Sequence, residues 1–218
     1  MAINLVNVGK VIGNPQTRIL NNINLTIADG EFVSFVGRSG SGKSTLLYLL
    51  SSLDIASEGF VEIDGMKVSD LKPDDLYQFR NLKMGFIFQF HYLLAELTAL
   101  ENILMPARKT NQMKQKEGYA LDLLNQFGLK GKEKRLPRQL SGGEQQRVAI
   151  ARALIMKPKY IFADEPTGAL DSVNAKIVID IMTRVNQEQG TTVIMVTHDA
   201  GFAQLARKQI HLVDGKIV

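Results

Sequence analysis

The chain has 218 residues, of which 45% are hydrophobic and 22% are charged, and it contains no cysteine. This composition is typical of a folded globular domain, and it excludes intrinsic disorder, disulfide bonds and cysteine catalysis. The net charge of +4 is compatible with nucleotides, nucleic acid or an anionic membrane surface and does not choose among them. No apolar run approaches the ~18–20 residues of a membrane span, and we expect no secretory signal at the N-terminus.

The first 90 residues contain short segments typical of β-strands. Two segments near the N-terminus alternate apolar and polar residues, as half-buried strands do. Another is continuously apolar and leads into a glycine-rich loop. A fourth carries Asp64-Gly65 between apolar runs, which indicates a hairpin. The strand predictions cover residues 3–8, 23–27, 31–37, 59–68 and 85–89.

The pattern changes near residue 90, where β-branched residues become rare and helical periodicity begins. Further along, the apolar runs YIFAD and TTVIMVTH flank a helical segment, an order that predicts a right-handed parallel unit. IHLVDGKIV predicts a closing hairpin. We therefore predict one α/β domain over residues 1–218, with a mostly parallel core sheet, an antiparallel flank and a helical subdomain inserted at about residues 90–155.

GRSGSGKS, at residues 37–44, matches G-x-x-x-x-G-K-[ST] between a predicted strand and a predicted helix. The glycines allow backbone N–H groups to point at phosphate oxygens, and the helix N-terminus favours an anion. Lys43 is expected to reach the β- and γ-phosphates of a nucleotide, and Ser44 to ligate Mg²⁺. The alternative is a glycine-rich turn with an incidental lysine. The predicted P-loop NTPase site comprises Gly37, Arg38, Ser39, Gly40, Ser41, Gly42, Lys43, Ser44 and Thr45.

Polar side chains stand at the ends of three predicted strands. YIFAD ends in Asp164 and is followed by Glu165, Gln89 ends GFIFQ, and His198 follows VIMVT. Asp164 is expected to hold the Mg²⁺ shell, and Glu165 to orient or polarise the attacking water. Gln89 is expected to contact Mg²⁺ or the water, and His198 the γ-phosphate. The alternatives are two acids that cap a turn and a structural histidine.

LSGGEQQRVAIARAL begins with a serine and two adjacent glycines before a helical run. Ser141 and Glu144 have the S-x-x-E spacing of a capping box, so the segment can be read simply as a helix start. A capping box does not need Gly142 and Gly143, which expose N–H groups at a positive helix terminus. This predicts a second anion site, for the γ-phosphate of a nucleotide held by another copy. The buried helix face would comprise Val148, Ala151 and Ile155.

The order of these motifs resembles that of ATP-binding-cassette (ABC) ATPases over essentially the whole chain. QFHYLLAELTALENILMP and DEPTGALDS are further similar to the lipoprotein-release, macrolide-export and antimicrobial-peptide-export class of cassettes. The resemblance implies a head-to-tail dimer in which the Ser141-Gly142-Gly143 loop closes on the other subunit's ATP. It places Asp171 in the loop that links the two sites. It also implies ATP hydrolysis with Mg²⁺.

The leading functional hypothesis is the ATPase subunit of a transporter or mechanotransmission complex, as a homodimer or paired with a second cassette. A separate integral membrane permease would release or export a lipoprotein, peptide, drug or similar amphiphile, with this subunit peripheral to the cytoplasmic side of the inner membrane. The alternative is a non-transport cassette that acts on nucleic acid or in cell-envelope signalling or division. The single phosphate loop, the absence of cysteine and the short length disfavour nucleic-acid cassettes, so no nucleic acid partner is expected.

Two local features carry further predictions. Most cassettes place an aromatic residue before the phosphate loop for adenine to stack on, but here that position falls on Ile12 or Val11. We therefore predict weak ATP binding and poor discrimination between ATP and GTP. The apolar cluster after Gln89 is predicted to dock the permease, with core packing as the alternative for some members. No role is assigned to His91 or His211. The cluster comprises Phe90, Tyr92, Leu93 and Leu94.

Overall fold

Two β-sheets and seven helices form the framework in a computed structural model that describes residues 3–218. The strands are β1 (Ile3–Ile12), β2 (Thr17–Ile27), β3 (Phe32–Val36), β4 (Glu58–Ile63), β5 (Met66–Lys67), β6 (Met84–Phe88), β7 (Tyr160–Asp164), β8 (Thr192–Val196), β9 (Lys208–Val213) and β10 (Lys216–Ile217). The helices are α1 (Lys43–Leu50), α2 (Pro73–Lys83), α3 (Ala99–Arg108), α4 (Met113–Gln126), α5 (Gly142–Leu154), α6 (Ser172–Gln189) and α7 (Ala200–Ala203).

A four-stranded antiparallel sheet, in the order β2-β1-β4-β5, forms the predicted flank. Strands β1 and β2 are longer than the sequence predicts, because they pair from Ile3↔Ile27 to Ile12↔Thr17 through register shifts beyond Leu5. Such irregularities break the strict alternation on which strand prediction depends. The hairpin between β4 and β5 turns at Asp64 (φ 53°) and Gly65 (φ 79°), as predicted. Two positive φ angles are the signature of the type I′ turn, which matches strand twist.

The core sheet has six strands in the order β10-β9-β3-β8-β7-β6. Its pairs from β9 to β6 are all parallel, and only β10 is antiparallel. Strands β3, β7 and β8 are almost entirely buried. Sheets covered on both faces produce continuous apolar runs, which is why these strands could be predicted. The α/β fold class with a mostly parallel sheet is confirmed.

The core sheet separates two hydrophobic clusters, and successive residues of β3 point to opposite sides. Phe32 packs in a cluster with residues of α3, α4, α5 and α6, whereas Val33 and Phe35 pack in a cluster with α1 and the antiparallel sheet. Phe32 is therefore a core residue. The helices within residues 90–155 share their cluster with Ile87 and Met195 of the core sheet. The boundary of a helical subdomain remains a prediction.

Two helices escaped prediction. Helix α2 has no buried residue and so no apolar periodicity. Its polar signals are local: Pro73 lies in its first turn, with Asp74 and Asp75 there and Arg80 near its end, as the helix dipole favours. Helix α7 has only four residues. None of the helices in residues 3–218 combines the length and apolar character that a membrane span requires.

Candidate active site

The loop between β3 and α1 is held in shape by its own lysine. Lys43 Nζ donates to the backbone oxygens of Gly37 at 2.9 Å and Arg38 at 2.8 Å, so its side chain crosses the loop. Gly42 precedes α1 with φ 100°, a conformation that side chains with a Cβ rarely adopt. A Cβ at Gly42 would also lie 2.8 Å from the Leu20 side chain. The local structure therefore requires glycine at this position, as the motif does.

Asp164, at the end of β7, bonds to two side chains of α1. Ser44 Oγ donates to Asp164 Oδ1 at 2.9 Å, and the Tyr48 hydroxyl donates to Asp164 Oδ2 at 3.0 Å. Burial and the neighbouring Asp164 carboxylate raise the pKa of Tyr48 to about 12. Tyr48 was missed by sequence analysis, although its spacing of four from Ser44 places both residues on one helix face. The carboxylate is thus fixed at both oxygens.

Glu165 and His198 form a contacting pair at the adjacent strand ends. His198 Nδ1 donates to Glu165 Oε2 at 2.8 Å, and the His198 backbone N–H donates to the same oxygen at 3.3 Å. Across residues 3–218 nothing donates to the other oxygen, Oε1, which remains available to a water molecule. The Glu165 backbone has φ 47° and donates its N–H to Val196 O at 3.0 Å. The pair can therefore accept a proton at one carboxylate oxygen while the histidine holds the other.

Lys43, Ser44, Glu165 and His198 line one cleft of about 470 Å³. Gly37, Arg38 and Ser41 belong to the same loop but are not among the residues that line the cleft. Ile19 of β2 does, although sequence analysis did not select it. Ile12 lies at the end of β1 and is 47% exposed, outside the cleft lining that residues 3–218 provide. The cleft is lined by Ile19, Ser39, Gly40, Gly42, Lys43, Ser44, Thr45, Glu165 and His198.

Gln89 follows β6 and lies against the turn after Glu165. A Cβ built on Gly168 would be 3.0 Å from Gln89 Nε2, so this glycine leaves room for the amide. The neighbouring strand ends are joined by Gln146 of α5, whose Nε2 donates to Pro166 O at 2.7 Å and to Phe88 O at 3.4 Å. Gln146 is fully buried and was also missed. Its contacts connect α5 to the strand ends that carry Gln89 and Glu165.

Helix α5 begins with the capping box that the sequence suggests. Ser141 Oγ accepts from the Glu144 N–H at 3.3 Å, and Glu144 Oε2 accepts from the Ser141 N–H at 2.9 Å. The N–H groups of Gly142 and Gly143 find no hydrogen-bond acceptor anywhere in residues 3–218. The capping box and an anion site are therefore compatible, since the box uses two donors and leaves two free. The predicted buried face is confirmed: Val148, Ala151 and Ile155 are fully buried.

Asp171 caps α6 and lies next to the start of α5 through shared partners. Its side chain accepts from the Asn174 backbone N–H at 2.9 Å and from Asn174 Nδ2 at 2.7 Å. The backbone N–H of Asn174 lowers the pKa of Asp171. Asn174 Oδ1 accepts from Arg147 of α5 at 2.8 Å, and a Cβ on Gly143 would collide with the Asn174 side chain. The two helix starts thus form one surface.

That surface is separate from the cleft at Lys43. Ser141, Gly142, Gly143 and Asp171 are absent from the cleft lining that residues 3–218 form. The structure therefore assembles the predicted site residues into two groups. One group surrounds the phosphate loop, and the other surrounds the starts of α5 and α6.

Comparison with known proteins gives a consistent relationship. The family described as "ABC transporter" matches residues 20–168. The lipoprotein-releasing system ATP-binding protein LolD of Leptospira interrogans is 53% identical over 99% of this chain and 90% of its own length. LolD of Aquifex aeolicus is 50% identical over 97% of this chain and 94% of its own length.

Two solved structures of the ATP-binding cassette MJ0796 have the same fold. A dimer in a post-hydrolysis state with ADP and phosphate superposes with a TM-score of 0.88 at 41% identity, covering 99% of this chain and 96% of that one. A second dimeric structure, of what is described as a bacterial ABC transporter cassette, gives a TM-score of 0.89 at 43% identity and the same coverage. Both motif order and architecture agree with the family match. The chain belongs to the ABC transporter family as an ATP-binding cassette.

Proposed function

We propose that this chain is the ATP-hydrolysing subunit of a lipoprotein-releasing transporter, acting as a dimer with a separate membrane permease. The observation that carries this proposal is the convergence of Lys43, Ser44, Glu165 and His198 in one cleft, with Asp164 bonded to Ser44. The names of the relatives support lipoprotein release, and the dimeric cassette structures support the dimer. The subunit would bind at the cytoplasmic face of the inner membrane.

The residues around Ser44 fit a magnesium ion. A serine hydroxyl and a carboxylate lie 2.9 Å apart, and both are hard oxygen donors of the kind that Mg²⁺ prefers. Ser44 and Asp164 would hold the ion, and the carbonyl oxygen of Gln89 would approach it from the strand end. When bound, Mg²⁺ would neutralise the developing charge on the phosphate oxygens. Tyr48 would keep the Asp164 carboxylate oriented through the bond to Oδ2.

The remaining cleft residues would act on the phosphates and the water. Lys43 would exchange its bonds to the loop carbonyls for bonds to the β- and γ-phosphates. Glu165 would accept the proton of the attacking water at Oε1. His198 Nδ1 donates to Glu165, so a bond to the γ-phosphate would come from the opposite ring nitrogen, Nε2, which must then also carry a hydrogen. These roles divide phosphate binding from water activation.

The second group of residues would serve the nucleotide of a partner subunit. The free N–H groups of Gly142 and Gly143 lie at the positive end of α5, where an anion is favoured. A Cβ at Gly142 would meet no atom within 4 Å in this chain, so its glycine leaves space for something outside it. Asp171 would lie between the two sites. Reciprocal binding follows because these residues lie outside their own subunit's cleft.

The segment after Gln89 is the proposed permease contact. Phe90 is 66% exposed and Tyr92 is 64% exposed, whereas Leu93 packs against the core cluster. Beside them runs a mostly apolar groove of about 410 Å³, whose lining includes Leu53, Tyr77, Phe86, Phe88, Arg152 and Met156. Tyr92 meets Phe88 edge to face at 5.4 Å, so the segment continues the groove wall. A permease segment with aromatic or aliphatic anchors would fit this surface.

Leu94→Glu should abolish co-purification with the membrane permease while ATPase activity of the isolated subunit stays nearly unchanged. The reason is that a carboxylate would have to be desolvated in the apolar contact. Tyr92→Ala should act in the same direction by removing an anchor. Leu121→Glu is the matched control, since Leu121 is 40% exposed on α4 and Leu94 is 43% exposed. Normal assembly by both Leu94→Glu and Tyr92→Ala would contradict docking at this segment.

The base of the nucleotide should be bound weakly. Ile19 supplies an aliphatic wall of the cleft, and an aliphatic wall lacks the stacking term of ~1–3 kcal/mol that an aromatic ring gives. We expect the isolated subunit to bind ATP and GTP similarly. Ile12→Tyr should tighten ATP binding by roughly tenfold if its ring reaches the base. Equilibrium titration with both nucleotides measures this, with Ile177→Tyr on α6 as the control. Strong adenine selectivity in the unaltered subunit would refute the prediction.

A further inference from the structure

The exposed segment after Gln89 is fastened to α5 at two places. Near the C-terminal end of the helix, Arg152 donates to His91 O at 2.8 Å and to Tyr92 O at 2.6 Å. Burial lowers the pKa of this guanidinium, which is enclosed between the helix and the segment. At the helix start, His91 Nε2 bonds to Gly142 O at 2.8 Å. His91 therefore contributes its carbonyl to one anchor and its ring to the other.

The bond to Gly142 has a defined direction. A carbonyl oxygen only accepts, so His91 Nε2 must carry the hydrogen and donate it. The carbonyl of Gly142 shares a planar peptide unit with the N–H of Gly143, and in a trans peptide the two point in opposite directions. Fixing the oxygen therefore fixes the direction of that N–H. A hydrogen bond to the carbonyl also polarises the peptide and strengthens its N–H as a donor.

The Gly143 N–H is one of the two donors at this helix start that have no acceptor in residues 3–218. Its other surroundings are also fixed, because Asn174 packs where a Cβ would be and is held by Arg147 and Asp171. The His91 ring is the contact that reaches this peptide from the permease-facing side. Movement of residues 90–94 would therefore change the orientation of the Gly142–Gly143 peptide directly.

We infer that His91 is a positioning residue that transmits the placement of the segment 90–94 to the Gly143 N–H, and so tunes closure of the α5 start on the partner's nucleotide. This inference rests on the proposed reciprocal dimer. It assigns His91 no contact with ATP in its own subunit, where the cleft lining in residues 3–218 does not include it. The effect should therefore appear in dimerisation and not in nucleotide binding by the monomer.

The test compares two substitutions in a Glu165→Gln background, in which ATP-bound dimers should accumulate. His91→Phe keeps a planar ring without a donor, whereas His91→Gln places an amide N–H near the position of Nε2. His91→Phe should raise the ATP concentration for half-maximal dimerisation by about fivefold or more, because at each of the two sites the Gly143 N–H would be less firmly oriented and a weaker donor to the partner's nucleotide. His91→Gln should stay close to the parent. ATP affinity at protein concentrations below dimerisation, and the melting temperature without ATP, should not change.

The outcomes separate this inference from the proposal beneath it. A parent that stays monomeric with ATP would overturn the reciprocal dimer and this inference together. A dimerising parent whose His91→Phe form dimerises equally well would overturn the inference alone. Equal impairment of dimerisation in His91→Gln would also overturn the inference. The same holds for a loss of melting temperature and monomer ATP affinity that parallels the dimerisation defect, because either result would indicate a structural role for His91.

Discussion

Glu165→Gln should lower ATP turnover by about 10²–10⁴-fold and leave ATP binding intact, the scale expected for losing a general base. The amide keeps the shape of the side chain and can still accept from His198 Nδ1 through its oxygen. It cannot take a proton from water. ATP should therefore remain bound, and the dimer that it closes should accumulate. Phosphate release and size-exclusion chromatography with ATP measure the two effects.

Lys43→Ala should fail in a different way. Removing a cationic donor to phosphate costs about 1.5–3 kcal/mol, or roughly 10–100-fold in ATP affinity. The loop also loses the two bonds that now cross it, so melting temperature must be measured alongside binding. The control for Glu165→Gln is Glu188→Gln, which also removes a carboxylate but lies near the C-terminal end of α6, away from Asp171. For Glu165→Gln, near-normal ATP turnover would contradict the role of Glu165 as general base. An ATP-loaded Glu165→Gln protein that stays monomeric would contradict the two-site dimer.

Mixing two inactive proteins, Ser141→Arg and Lys43→Ala, should restore hydrolysis well above either parent. Ser141→Arg alone should lower activity by roughly 10²-fold or more, the scale for losing a donor to a transition-state oxygen. In a heterodimer, one site combines the unaltered phosphate loop of the first protein with the unaltered helix start of the second. The other site carries both lesions. Differently tagged subunits allow the heterodimer to be isolated and its activity measured.

The control for this complementation mixes two differently tagged copies of the same mutant protein. Such a mixture should remain inactive for Ser141→Arg and for Lys43→Ala. The arrangement follows from the separation of Ser141 from its own cleft. If each site drew Ser141 from its own subunit, every heterodimer would contain one lesion per site. Absence of recovery in a proven heterodimer would therefore contradict sites that are shared between subunits and can act independently.

Sequence analysis could predict what depends on local pattern. The buried strands β3, β7 and β8 are continuous apolar runs, and the phosphate loop lies between a strand and a helix as its motif requires. Glu165 and His198 could be placed near each other because parallel strands end at one edge of the sheet. These features need only the residue types and their spacing.

What the sequence did not predict depends on contacts between distant segments. In the sequence, nothing distinguishes Gln146 from other polar helix residues. Its role depends on the bond to Pro166 O, which lies 20 positions away. Tyr48 and Ile19 likewise acquire their places from Asp164 and the cleft. The sequence assigned no role to His91, whose bond to Gly142 spans 51 positions. Residue types and local spacing do not show which distant segments pack together, so these roles become visible only in the folded structure.

The positive φ angle of Glu165 lowers the stability of the fold at a residue that catalysis needs. Holding a residue that has a Cβ at φ 47° costs about 1–2 kcal/mol of folding free energy relative to a right-handed helical or extended conformation. Glycine would relieve this cost but would remove the carboxylate beside His198. Selection for heat resistance alone would therefore drive this position away from glutamate, and selection for turnover would hold it there. Because a folded domain is only marginally stable, this cost is a large share of its stability, and we expect the substitution that most stabilises this position to abolish turnover.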